Sequence, residues 1–224
     1  MERRMKSFET EHYIFSYLPG SAAERDIESI AEEQESCFEE IVSVLGVRPD
    51  FKIKYRFYNT PEQVGNYCGE LCGDFEPCNG FAEEPDIICA VYTDKIQCVG
   101  AHEDAHIISY IVGTPDSVFI REGLAMYFDK KWWDRENAVW VRKFIEDGSY
   151  VSVESLFEDD SFYALPCTLT YPIAGSFTDF LIKELGVEKY LEFYRDNSIS
   201  SPEKLKEALY TQSLDENFKS FILK

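Results

Sequence analysis

The chain has 224 residues, 45% of them hydrophobic and 15% aromatic, which is enough to bury one sizeable core and too apolar for a disordered chain. Its 42 acidic residues against 22 Lys and Arg give a formal net charge of -20, so nucleic acid and anionic membranes are excluded as expected partners, because phosphate binding needs clustered cations. Such acidity serves solubility first, and a preference for basic peptides is the lesser reading.

Met1-Glu2-Arg3-Arg4-Met5-Lys6 leads into Ser7-Phe8-Glu9 rather than into an apolar run of signal-peptide length, and no stretch approaches a membrane span, so a cytoplasmic protein is expected. The seven cysteines, an odd set, fit reduced thiols and no structural disulfide.

Tyr13, Phe15 and Tyr17 alternate along a first strand that Leu18-Pro19-Gly20 closes, with His12 at its start given no role. From Ser21, the residues Ile27, Ile30, Ala31, Phe38, Ile41 and Leu45 recur at helical spacing, and Gly46 offers a C-terminal cap. Phe51, Ile53, Tyr55 and Phe57 alternate with Lys52, Lys54 and Arg56 as a half-buried strand, after which Thr60-Pro61 starts a short helix. Residues 65–80, with Gly65, Gly69, Gly73 and Gly80 and with Cys68, Cys72 and Cys78, are expected to form an irregular connection. Three thiols so spaced lack paired Cys-x-x-Cys knuckles and a histidine, so reduced cysteines are preferred over a second metal site.

Ile87 to Tyr92 is a third strand, beside which Cys89 and Cys98 are expected in the core. Helices are predicted from about Gln97 to Val112, ended by Gly113-Thr114-Pro115, and from about Ser117 to Lys130. Packing is the preferred role for Trp132-Trp133, ahead of lining a pocket for apolar side chains. Further helices cover Asn137 to Glu146, Tyr171 to Leu185, Val187 to Asp196 and Pro202 to Leu209. Strands and one long helix followed by mostly helices give an α+β fold in one domain, 1–224, with a β-rich part to about residue 96 and a helical part from about residue 97.

Chemistry concentrates in His102-Glu103-Asp104-Ala105-His106. On a helix His102 and His106 share a face and can aim two nitrogens at one ion, about 2.0–2.1 Å away. Glu103 is placed to act as general base rather than as a ligand. A catalytic zinc keeps three protein ligands and an open position. The third comes from Glu122, in the second helix, where Gly123 removes a side chain and allows close helix approach. Two imidazoles and a carboxylate suit one Zn2+, although iron, cobalt and manganese accept the same donors.

This pattern, His-Glu-x-x-His followed by Glu122-Gly123-Leu124-Ala125, resembles the gluzincin metallopeptidases, the peptidase-MA-like group. The resemblance implies a zincin-like fold, with a small mixed N-terminal sheet, a central motif helix and a helical C-terminal half. It implies His102, His106 and Glu122 as ligands, Glu103 as base, and a metal-activated water attacking a peptide bond. It further implies that Tyr171, at the start of Tyr171-Pro172-Ile173-Ala174-Gly175, donates to the oxyanion; because any nearby tyrosine hydroxyl can supply such a donor, Tyr163 is the second choice. The strand at 87–92 would offer its edge to extended substrate. The interval from His106 to Glu122 is shorter than in thermolysin-like enzymes, Met126 stands where those carry an Asp, and no Gly-x-Met-x-Asn motif is present to hold a substrate amino terminus. The expected protein is a monomeric peptide hydrolase, and the alternative is a zincin-fold protein that binds metal or a partner without turnover.

Overall fold

A computed structural model of the protein describes residues 5–72 and 76–224, and of Leu71 and Cys72 the backbone alone. The leader expectation at residues 1–4 and any role for the Cys72 thiol lie outside the described residues. Chain contacts divide the α+β protein into two compact units, Met1–Ile111 and Val112–Lys224.

The first unit opens with β1 (Lys6–Glu9) and β2 (Tyr13–Tyr17), then α1 (Ala22–Leu45), β3 (Ile53–Tyr58) and α2 (Pro61–Cys72). It ends with β4 (Gly80–Glu83), β5 (Ile87–Val91) and α3 (Ala101–Ser109). The sheet order is β1-β2-β3-β5-β4, with β2, β3 and β5 parallel and an antiparallel strand on each edge. Register explains the sequence pattern. Tyr13 pairs with Ile53 and Phe15 with Tyr55, which pairs in turn with Ile88, so these buried side chains share one face. Phe15 and Phe57 stack there at 6.1 Å, and Phe38 of α1 meets Tyr13 edge-on at 6.0 Å. On the other face Cys89 and Val91 join Val64 of α2, with Tyr67 and Phe81 against them. A strand buried on both faces has no polar side to show, which is why Ile87 to Val91 reads as an unbroken apolar run.

The long helix ends as anticipated, with Ser21 accepting from the Glu24 amide at one end and Gly46, at φ 65°, left-handed at the other. Two boundaries differ from expectation. Residues 61–72 are helical rather than irregular from residue 65, because Gly65 is there for contact, not for a turn: a methyl on it would overlap the Glu76 carbonyl. And α3 begins at Ala101 rather than near residue 97, because Gly100 sits at φ 114°, outside any helix, while the Cys98 amide is bonded to the Val91 carbonyl.

The second unit starts with α4 (Val118–Asp129), a small hairpin of β6 (Lys131–Trp132) and β7 (Arg135–Glu136), and α5 (Asn137–Asp147). A 3-10 turn (Val153–Phe157), α6 (Asp159–Tyr163) and α7 (Cys167–Leu185) follow. Then come α8 (Val187–Arg195), a 3-10 turn (Ser198–Ser200), α9 (Pro202–Ala208) and α10 (Leu214–Ile222). Its core is aromatic: Phe119 stacks on Phe177 at 5.3 Å, and Phe177 meets Phe218 edge-on at 5.5 Å. The helix α7 starts at Cys167, one turn before the expected Tyr171. Pro172 therefore lies inside it rather than in its first turn.

Helices α4 and α7 of this unit pack closely at Gly123. A methyl on Gly123 would stand 2.6 Å from Thr178 Oγ1 and 2.9 Å from the Ala174 carbonyl oxygen. Gly123→Ala is therefore expected to lower stability by about 1–3 kcal/mol, read as a lower urea midpoint at unchanged m value. An unshifted midpoint would show that the two helices can part without cost.

Candidate metal centre

The helix α3 carries the motif, and its faces divide the work. His102 and His106, one turn apart, are half-buried with ring centroids 5.1 Å apart. On the opposite face Asp104 is wholly buried; its Oδ2 accepts from the Tyr13 hydroxyl at 2.5 Å and from Gln34 Nε2 at 2.9 Å. Burial drives the Asp104 pKa well above the ordinary carboxylate range, against the pull of those two hydrogen bonds. Glu103 lies between the two faces, half-buried, with its carboxylate over Gly80 of β4. A methyl on Gly80 would overlap Glu103 Oε1 and stand 2.9 Å from Cys98 Sγ, so the absent side chain at Gly80 is what makes room for the carboxylate.

Glu122 is half-buried on α4, next to the Gly123 that lets α7 approach. One nitrogen of His102, one of His106 and one Glu122 carboxylate oxygen all lie within 4.8 Å of one another. Ligands bound about 2.0–2.2 Å from a shared tetrahedral ion stand roughly 3.5 Å apart, a separation inside that bound. Donor chemistry and spacing both fit a single zinc ion, and these residues are a group that could hold a metal.

No family model matches the chain, and no curated protein matches it. Among solved structures the chain is similar to an aminopeptidase N family protein from Idiomarina loihiensis, with 13% sequence identity and a TM-score of 0.43. That similarity covers 97% of this chain and 49% of the other, so the chain spans about half the length of that protein.

The tyrosines considered for the oxyanion are both in the second unit. Tyr171 is half-buried on α7, with its ring edge-on to Trp132 at 5.3 Å and stacked on Phe162 at 6.1 Å. Tyr163, at the end of α6, is 71% exposed, and its pKa is raised first by partial burial and then by the charge of Glu122. The two tryptophans part company. Trp132 is half-buried, whereas Trp133, at φ 50° in the hairpin turn, is 74% exposed and packs into no core.

Two expectations change. The strand Ile87–Val91 offers no edge, because β3 and β4 flank it; the edge strand on that side is β4. Four residues carry too little periodicity to reveal β4 in the sequence, and Gly80 looked like loop composition. Cys98 is half-buried rather than core, whereas Cys89 is fully buried, with its thiol pKa pushed up to about 12 by that burial. Cys68 and Cys78 are half-buried and, among the described residues, form no disulfide. His12, given no role, ties the start of β2 to α1: it stacks on Phe38 at 3.9 Å and its Nδ1 lies 2.6 Å from Glu35 Oε2. Among the described residues no helix is long and apolar enough to cross a membrane.

Proposed function

We propose that the protein is a zinc-dependent peptide hydrolase of the gluzincin type. The observation that carries this reading is the gathering of His102, His106 and Glu122 donor atoms within 4.8 Å, with an acid, Glu103, next in the chain to the first of them. His102, His106 and Glu122 would hold one Zn2+. When bound, zinc supplies a Lewis acid that polarises the scissile carbonyl and acidifies the attacking water.

The remaining steps belong to the chain's own groups. Glu103 takes the proton of the attacking water on a carboxylate oxygen and delivers it to the leaving amine nitrogen. Its position over Gly80 holds that oxygen beside β4, whose outer side is unpaired among the described residues and would receive an extended peptide through backbone hydrogen bonds. Tyr171 is assigned as hydroxyl donor to the developing oxyanion, with Tyr163 as second choice. The substrate is a peptide or protein segment, met by a monomeric enzyme in the cytoplasm without nucleic acid or membrane.

Digestion of a peptide library, read by mass spectrometry, tests the reading. Cleavage that is lost on chelation and restored by Zn2+ is the expected result. Stoichiometric zinc with no cleavage would favour a zincin-fold protein that binds metal or a partner without turnover. A second measurement addresses the base. Gly80→Ala forces the Glu103 carboxylate aside and is expected to slow hydrolysis about 10- to 100-fold at unchanged zinc content, since a shift of about 1 Å at a reacting group has effects of that size. Unchanged turnover would remove Glu103 from the base role in its present position.

A further inference from the structure

Asp104 is the third residue of the motif, and none of the roles above uses it. Its side chain is 0% exposed, and Oδ2 accepts from two different elements, the Tyr13 hydroxyl of β2 and Gln34 Nε2 of α1. Gln34, equally buried, also grips the residue just before α3: its Nε2 donates to the Gly100 carbonyl at 3.1 Å and its Oε1 accepts from the Gly100 amide at 2.7 Å. The same Tyr13 hydroxyl stands 3.1 Å from the Gln34 carbonyl oxygen, which brings the three side chains into one buried knot. Gly100, at φ 114°, takes a conformation that other residues rarely adopt.

Helix geometry shows what this knot does. Successive residues turn by about 100°, so from His102 the side chain of Glu103 stands about 100° round, Asp104 about 200°, and His106 about 40°. Asp104 thus lies opposite the midpoint of the histidine pair, and Glu103 lies on the flank that faces Gly80. The helix is nine residues long, too short to hold its own orientation by local propensity. Hydrophobic contact at the Asp104 position would fill space but would leave the rotation of α3 soft, because such contacts are non-directional. Two hydrogen bonds at its back and two at the residue just before it fix an angle.

We propose that Asp104, clamped by Gln34 and Tyr13, is a positioning residue: by gripping the back of α3 it sets the rotation at which His102 and His106 offer their nitrogens and Glu103 its carboxylate. This rests on the metal-centre reading under Proposed function. It also specifies which property of Asp104 matters. The group acts as a double hydrogen-bond acceptor through Oδ2, so an amide oxygen in the same place accepts the same two bonds, and Oδ1, with no partner among the described residues, has no bond for that substitution to break.

The test titrates Co2+ alone into the full chain and follows its visible absorption, comparing wild type with Asp104→Leu, Gln34→Leu and Asp104→Asn. The two leucine variants are expected to bind Co2+ about 10- to 100-fold more weakly, the usual loss when a group supporting metal ligands is removed. Asp104→Asn is expected to stay within about threefold of wild type, because its amide oxygen accepts the same two bonds. A purely structural role would instead lower the urea midpoint of the leucine variants and leave Co2+ affinity of the folded protein unchanged; that result overturns the proposal. So does an Asp104→Asn variant as weak as Asp104→Leu. If circular dichroism shows Asp104→Leu unfolded, Gln34→Leu and Asp104→Asn decide between the same outcomes. Wild type that takes up no Co2+ overturns the metal-centre reading, and this one with it, whereas equal binding by wild type and leucine variants overturns this one alone.

Discussion

Replacing Glu103 by Gln is expected to cut peptide hydrolysis by a factor of about 10²–10⁴ while zinc content stays at the wild-type level. The substitution keeps the length of the side chain and its place over Gly80, and it removes only the ability to take a proton. Loss of rate therefore reports the base, and retention of zinc reports that Glu103 is no ligand. Metal analysis and initial rates on the same preparation make the comparison. Zinc that falls together with rate would make Glu103 part of the metal-holding set, and an unchanged rate would require another base.

His106→Ala removes a proposed ligand rather than the proposed base, and its expected signature is the reverse in metal content. Two donors remain of three, and zinc affinity should fall more than about 100-fold, beyond the 10- to 100-fold seen when only supporting groups are lost. Stability offers a second readout. Wild type at zinc 100 times above its dissociation constant gains about 2.7 kcal/mol from binding, so a chelator should lower its melting temperature. The His106→Ala protein should melt at the same temperature with and without chelator. Glu122→Ala should behave likewise if its carboxylate is the third ligand; a Glu122→Ala protein that keeps stoichiometric zinc would assign the third position to another group.

Much of this was legible in the sequence where one physical signal acted alone. Period-two alternation at Tyr13, Phe15 and Tyr17 and the helical recurrence from Ile27 to Leu45 reported burial on one face each, and both elements formed where expected. The pair His102 and His106 needed only helix geometry. Gly123, read as easing the approach of the two motif helices, instead packs its helix against α7. What stayed hidden depended on distant partners. Nothing about Gln34, one polar residue in a glutamate-rich helix, announces a bond to a residue 70 positions away. Short elements such as β1 and β4 hold too few residues for a period to show. By contrast α10 was marked and missed, since Ser213 caps it by accepting from the Glu216 amide, and Leu214, Phe218 and Ile222 repeat every fourth residue.

The edge strand β4 has only four residues, Gly80–Glu83, and ends on an acid. At about 3.3 Å per residue its outer border, unpaired among the described residues, is roughly 13 Å long. Long flat borders invite other sheets to dock and seed fibrous association, and brevity with terminal charge is a known defence. The strand proposed to receive a short extended segment is thus too brief to template the stacking of whole chains, so a border open to one peptide need not be open to a second sheet.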